Sequence, residues 1–181
     1  MAGSQVPENE PVWLEFADVL ELYAAIIGCT TQHAADQLRD RAGLESALGR
    51  PRNYLLYEQA DLALQAAALA HGVAESQTFI DGNKRLALVA MLTFLEINGL
   101  AVDAPDPELA KLIISLSAGS TPGDLAGSDP LALARRRVDS RTYRRTVSRL
   151  PDTTCGLNDV ITTTQRRYMP GARPAAYSAD R

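Results

Sequence analysis

The segment SQTFIDGNKRLALVAMLTFLEING, residues 76–99, holds two different instructions. In its second part Leu86, Leu88/Val89, Leu92 and Phe94/Leu95 recur at three- to four-residue spacing, which predicts a helix from about Asn83 to Asn98, closed by Asn98-Gly99. Because that helix is apolar around most of its circumference, it is expected to be the central, buried one. Its entrance is the opposite in character: Asp81, Gly82, Asn83, Lys84 and Arg85 crowd one acid and two cations into the turn where the helix begins.

Working outward, Val12 to Gly28 repeats Trp13, Phe16, Val19/Leu20, Tyr23 and Ile26/Ile27 at helical spacing and ends on a glycine suited to a helix C-terminus. Thr30 or Thr31 can cap a short helix running to about Leu38, and Asp40 to Leu48 forms another. Gly49-Arg50-Pro51-Arg52-Asn53 reads as a helix break, and Tyr54-Leu55-Leu56-Tyr57, short and β-prone, as one arm of a small hairpin. Alanine-dense Glu58 to Glu75 reads as a close-packing helix. Residues 106–119 and 129–137 predict two more, the first with Pro107 in its first turn. The expected architecture is therefore all-α, a helical bundle with a small β-hairpin flap near residues 52–56. Residues 1–11 form a polar N-terminal segment, 12–137 the domain, and 138–181 an Arg-rich C-terminal extension expected to be partly disordered.

Composition sets the limits. A chain of 181 residues with 46% apolar and 22% charged side chains has the makings of one globular domain. The net charge of -4 hides an asymmetry: residues 1–137 carry ten Lys/Arg against eighteen Asp/Glu, while 138–181 carry eight Arg against four Asp. An acidic body does not suit a general nucleic-acid surface, and nucleic acid is not an expected partner. Cys29 and Cys155, the two thiols, and the histidines, His33 and His71, fall into no metal-ligand spacing. The polar, acidic start of the chain has no signal-peptide pattern, and no run of 18 apolar residues occurs, so a soluble cytoplasmic protein without a membrane partner is expected.

The entrance turn has the chemistry of an anion cradle. A helix starting at Asn83 directs unpaired backbone N–H groups and the positive end of its dipole at the loop, and Gly82 lets the backbone turn without a side chain in the way. Lys84 and Arg85 stand where cations are normally unfavourable, which points to phosphate oxygens as their partners. Asp81 joins such a set if Mg²⁺ is present, because that ion is held by one or two carboxylates together with phosphate oxygens. Phe79, between polar residues, is expected to plug into the core and anchor the loop. An ordinary helix start with exposed charges would carry the same ten letters.

Phe79-Ile-Asp-Gly-Asn-Lys-Arg85 and the helix after it resemble the Fic/Doc superfamily, whose loop reads His-x-Phe-x-Asp/Glu-Gly/Ala-Asn-Gly/Lys-Arg, and the stretch from Leu38 to Pro51 is similar to the segment before that family's flap. Lys84 in place of a second glycine, and Leu88 in place of a second arginine, resemble the Doc branch, toxins that move the γ-phosphoryl group of an NTP to a hydroxyl of elongation factor Tu. The Fic branch transfers AMP instead. The resemblance implies Mg²⁺ and ATP or another NTP as cofactor and co-substrate, with Asp81 on the metal and Gly82, Asn83, Lys84 and Arg85 on phosphates. It also implies a target-aligning flap at Arg52, Asn53 and Tyr54, a translation factor as target and a cognate antitoxin as partner.

One position departs. Where the family places its histidine, the base that takes the proton from the attacking hydroxyl, this chain has Gln77. A neutral amide can orient a hydroxyl but cannot accept its proton. Losing a general base typically costs ~10²- to 10⁴-fold in rate. His71 starts about 9 Å away along a helix axis, too far to substitute. A deliberately inactivated variant, a natural member with weakened chemistry, and a nucleotide-binding pseudoenzyme all fit Gln77. The string S4-Q-V-P-E-N9 fits the letters of the superfamily's inhibitory helix, but Pro7 and Pro11 argue against a helix there, so restraint is expected from a separate antitoxin. In the tail, Arg141, Arg144/Arg145 and Arg149 share a helical face, either solvated or docking an acidic partner, which could be an antitoxin or the body itself.

Overall fold

The computed structural model describes residues 10–100, 102, 111–112, 115, 118–119, 121–126 and 167–168. Among them lie α1 Phe16–Ile27, α2 Thr31–Asp36, α3 Arg41–Glu58, α4 Leu62–Ser76, α5 Asn83–Ile97 and a short α6, Pro122–Ala126. The architecture is all-α, and the described residues form no strand, only an isolated antiparallel bridge between Leu38 and Phe79. The helices expected over 106–119 and 129–137, the segment Ser4 to Asn9 and the Arg-rich stretch 135–149 lie outside the described residues, apart from Lys111, Leu112, Ser115, Ala118 and Gly119.

Helix α5 is the axle of the bundle. Every residue from Leu86 to Ile97 is buried, and α1 and α4 pack against it. Burying each leucine or phenylalanine there contributes roughly 1.5–3 kcal/mol, so the core fixes this helix whatever its first turn contains. Helix α4 lies between α5 and α3, made possible by small side chains. A β-carbon at Gly72 would come 3.0 Å from Ala47 Cβ and 3.1 Å from Ala47 Cα, so the two backbones nearly touch. The helix starts are chemically capped: Thr30 accepts from the His33 N–H, Asp40 from Gly43 and Asp61 from Leu64. Gly28, left-handed at φ 74°, ends α1 as its position suggested.

The hairpin flap near 52–56 is not formed. Helix α3 runs unbroken through Gly49, Pro51 and Arg52 to Glu58, so Arg52, Asn53 and Tyr54 are helical. A proline inside a helix costs about 3 kcal/mol, but Leu44, Ala47 and Pro51 form one buried face, and α3 packs along α4. Non-local packing outweighs the local break. The Arg52 guanidinium lies over the Trp13 ring, 5.5 Å from its centroid. The helix stops at Gln59, left-handed at φ 50°, with the Gln59 N–H donating to Leu55 and Ala60 to Tyr54. This places the start of α4 at Leu62 rather than near Glu58.

Two long-range clamps close the bundle. Asn98, beyond being a stop signal, donates through Nδ2 to the carbonyls of Val12 and Phe94 and accepts the Val12 N–H, tying the N-terminal segment to the end of α5. Asp18, with no exposed surface, accepts from the Tyr168 hydroxyl at 2.7 Å and the Glu15 N–H at 2.8 Å, and pairs with Arg167. Arg167 also reaches Glu21. Thus two residues of the C-terminal extension dock on α1 through a buried carboxylate.

Candidate functional site

The loop between α4 and α5 is built by hydrogen bonds that hold both its sides. Gln77 ends α4 in the left-handed region at φ 46°, ψ 45°. Thr78 is buried, and its carbonyl accepts from the Arg39 N–H at 2.7 Å, while the Ile80 N–H donates to the Gln37 carbonyl at 3.3 Å. Around the Leu38–Phe79 bridge, then, an edge segment at residues 37–40 lies alongside the loop. The element flanking the loop is this edge and not residues 52–54.

Phe79 is 1% exposed and stacks on Tyr23 with ring centroids 3.7 Å apart. Asn83 braces the same residue from the other side: its Oδ1 accepts the Phe79 N–H at 2.9 Å and its Nδ2 donates to the Phe79 carbonyl at 2.8 Å. With its carboxamide holding both the N–H and the carbonyl of Phe79, Asn83 is fixed in place and its backbone N–H is free of side-chain capping. Gly82 takes φ 77°, ψ 3°, and a β-carbon there would lie 3.1 Å from Ile27 Cδ1. Its N–H donates to Asp81 Oδ1 at 2.6 Å, which orients the carboxylate.

These residues line a cleft of about 390 Å³ bounded by Arg39, Ala74, Gln77, Phe79, Ile80, Asp81, Gly82, Asn83, Lys84 and Arg85. Asp81, Lys84 and Gln77 are exposed and Arg85 half-buried. Three cations face one carboxylate within a body whose residues 1–137 are strongly acidic, so positive potential is concentrated at this one cleft. No side chain caps the start of α5 and no acid stands in its first turn, leaving N–H groups and the helix dipole unneutralised there. Each cation placed against the dipole costs about 0.3–1 kcal/mol. Lys84 and Arg85 make no ion pair with any described residue that would offset it. Such a cleft can hold a polyanion. No group of three His, Cys, Asp or Glu gathers among the described residues. A single oriented carboxylate beside three cations does not make a cage for a metal held by protein alone; it would fit Mg²⁺ only if phosphate oxygens shared the ion.

The sequence-predicted loop residues come together, whereas Arg52, Asn53 and Tyr54 do not join them. Arg39 and Tyr23 escaped the sequence reading. Arg39 stands two residues from the start of α3, and its immediate neighbours in sequence gave no hint that it would face the loop. Tyr23 looked like one more core position of α1. Its phenol is pushed above the usual tyrosine range, first by burial and then by Cys29 and Asp81. Neither histidine lines the cleft. His71 Nδ1 lies 3.0 Å from an Arg50 nitrogen and 3.4 Å from Glu75, and His33 Nε2 lies 2.8 Å from Gln37 Nε2. Among the described residues no helix is long and apolar enough to cross a membrane.

Comparison with known proteins agrees with this geometry. The chain is 39% identical over 70 residues to the Toxin Doc of Mycolicibacterium smegmatis, a match covering 38% of this chain and 54% of that protein. The chain thus spans about half the length of the relative it matches. The model of the Fic/DOC family matches residues 13–95, from the N-terminal segment before α1 through the loop and nearly all of α5. Over these residues the chain is similar to the Fic/DOC family.

Proposed function

We propose that this protein is a Doc-like toxin of a toxin–antitoxin pair, built to move the γ-phosphoryl group of an NTP to a hydroxyl of a translation factor of the elongation factor Tu type, with transfer impaired by Gln77. The observation that carries this reading is the cleft itself, where Arg39, Lys84 and Arg85 converge on the uncapped start of α5 beside an oriented Asp81. Lys84, Arg85 and the N–H groups of the first turn of α5 would hold phosphate oxygens, Arg39 would meet them from the opposite wall, and Asp81 would hold Mg²⁺, which supplies charge neutralisation on the phosphates. The target-aligning role implied for the flap passes to the edge segment at 37–40, which pairs with the loop.

In the transfer, the hydroxyl oxygen bonds to the γ-phosphorus as the bond to the β–γ bridging oxygen breaks, the NDP leaves, and the hydroxyl proton must go to a base. Gln77, at the rim, can orient that hydroxyl but offers no basic site, and no described histidine stands in. This favours a second reading in which nucleotide is held and nothing is transferred. The left-handed backbone at 77 is one where histidine occurs more readily than most residues, so Gln77→His is compatible with the fold. Radiolabel transfer from γ-³²P-ATP and α-³²P-ATP to elongation factor Tu, by the parent and by Gln77→His, tests the proposal. Label from the γ position, raised ~10²-fold or more by the histidine, supports it. Label from the α position would mean AMP transfer and overturn it. Nucleotide binding without transfer by either protein would leave the binding module.

A further inference from the structure

Tyr23 lies in the middle of α1, far in sequence from the loop, yet it touches three of the loop's residues. Its ring stacks on Phe79, and its Cε2 atom would lie 3.5 Å from a β-carbon at Gly82. Its hydroxyl, with one proton to give, lies 2.9 Å from Gln37 Oε1 and 3.1 Å from the Asp81 carbonyl oxygen and shares that proton between these two acceptors. Gln37 in turn accepts the Ile80 N–H through its own carbonyl, so the residues on both sides of Asp81 are held. The peptide joining Asp81 to Gly82 is therefore fixed at both ends. Its carbonyl takes the Tyr23 hydroxyl, and its N–H donates to Asp81 Oδ1 at 2.6 Å. An exposed aspartate on a loop would ordinarily sample several rotamers, and here rotation of one peptide plane would swing its carboxylate.

We propose that Tyr23 is a positioning residue: by holding the Asp81–Gly82 peptide, its hydroxyl sets the direction of the Asp81 carboxylate and so the metal-dependent part of nucleotide binding. This rests on the reading of the cleft as a triphosphate site. Tyr23 touches neither phosphate nor metal. Its effect passes through one hydrogen bond, worth roughly a factor of ten in affinity if the bond contributes about 1.5 kcal/mol. A role confined to packing would weaken every ligand equally, whereas a role in aiming Asp81 weakens only what depends on the carboxylate.

The full chain carrying Tyr23→Phe, which keeps the ring stack and removes the hydroxyl, is compared with the parent by calorimetry against ATP with Mg²⁺ and ATP with EDTA. A roughly tenfold weaker Kd with Mg²⁺ is expected, with a metal-free Kd within about twofold. In ¹⁵N spectra of the nucleotide-free variant, the Gly82 amide is expected to shift and broaden. The double variant Asp81→Asn/Tyr23→Phe should bind Mg²⁺-ATP within about twofold of Asp81→Asn alone, because the hydroxyl then has no carboxylate to aim. Equal losses with and without Mg²⁺, an unmoved Gly82 amide, or a further loss of about tenfold in the double variant would overturn the role of Tyr23 and leave the triphosphate reading standing. A parent that binds neither form of ATP would overturn both.

Discussion

Replacing Arg167 with alanine should destabilise the domain, because Arg167 pairs with a buried carboxylate on α1. Asp18 is fully buried and has three partners: Arg167, the Tyr168 hydroxyl and the Glu15 N–H. Orphaning a buried charge costs about 3–5 kcal/mol, but two hydrogen bonds to the carboxylate would survive. The Arg167 side chain is also 43% exposed, so solvent already screens part of the attraction. We expect a loss of about 2 kcal/mol, or about 4–8 °C in Tm for a chain of this size. Urea denaturation followed by far-ultraviolet circular dichroism measures it. The cycle with Asp18→Asn separates charge pairing from packing: once the carboxylate is neutral, Arg167→Ala should cost less than about 0.5 kcal/mol more. A single variant within about 0.5 kcal/mol of the parent, or losses that add, would refute the latch.

Gly72→Ala should destabilise by about 1–3 kcal/mol, although alanine is the better helix former, because its methyl would meet the Ala47 backbone at 3.1 Å; thermal unfolding reads the sign directly. The phenols of Tyr168 and Tyr23 are both pushed up, each first by burial, Tyr168 then by its bond to Asp18. A group whose proton is held more tightly in the folded state gives stability that is complete below its ordinary value, about pH 10, and is lost as pH climbs toward the folded value. Stability should therefore fall above about pH 10, and Tyr168→Phe should lower the plateau but flatten that fall in denaturation curves taken across pH.

The sequence made some parts of this molecule plain for physical reasons. Helices α1 and α5 announce themselves because their apolar spacing is a local record of a buried face. The loop was legible because two cations against a helix dipole are costly without a ligand. What stayed hidden depends on distant partners. The break expected at Gly49 to Asn53 was a sound local inference overruled by the Leu44–Ala47–Pro51 face packed on α4. The edge at 37–40 has no β-prone composition, and its place beside the loop comes from its hydrogen bonds with Thr78 and Ile80 and the bridge to Phe79. Nothing in Asp18 or Tyr168 alone says that residues 150 apart share a proton.

Lys84 and Arg85 offer the most direct measurement, because stability and binding should respond to them in opposite directions. Removing both charges with Lys84→Gln and Arg85→Gln relieves two cations at the positive end of α5, about 0.6–2 kcal/mol together, and should raise Tm by about 1–8 °C. The same change should weaken calorimetric binding of Mg²⁺-ATP by tenfold or more, since charge-assisted bonds to phosphate contribute about 1.5–3 kcal/mol each. A parent chain that gives no heat with Mg²⁺-ATP, or a double variant that binds it as tightly as the parent, would contradict the cleft as a triphosphate site.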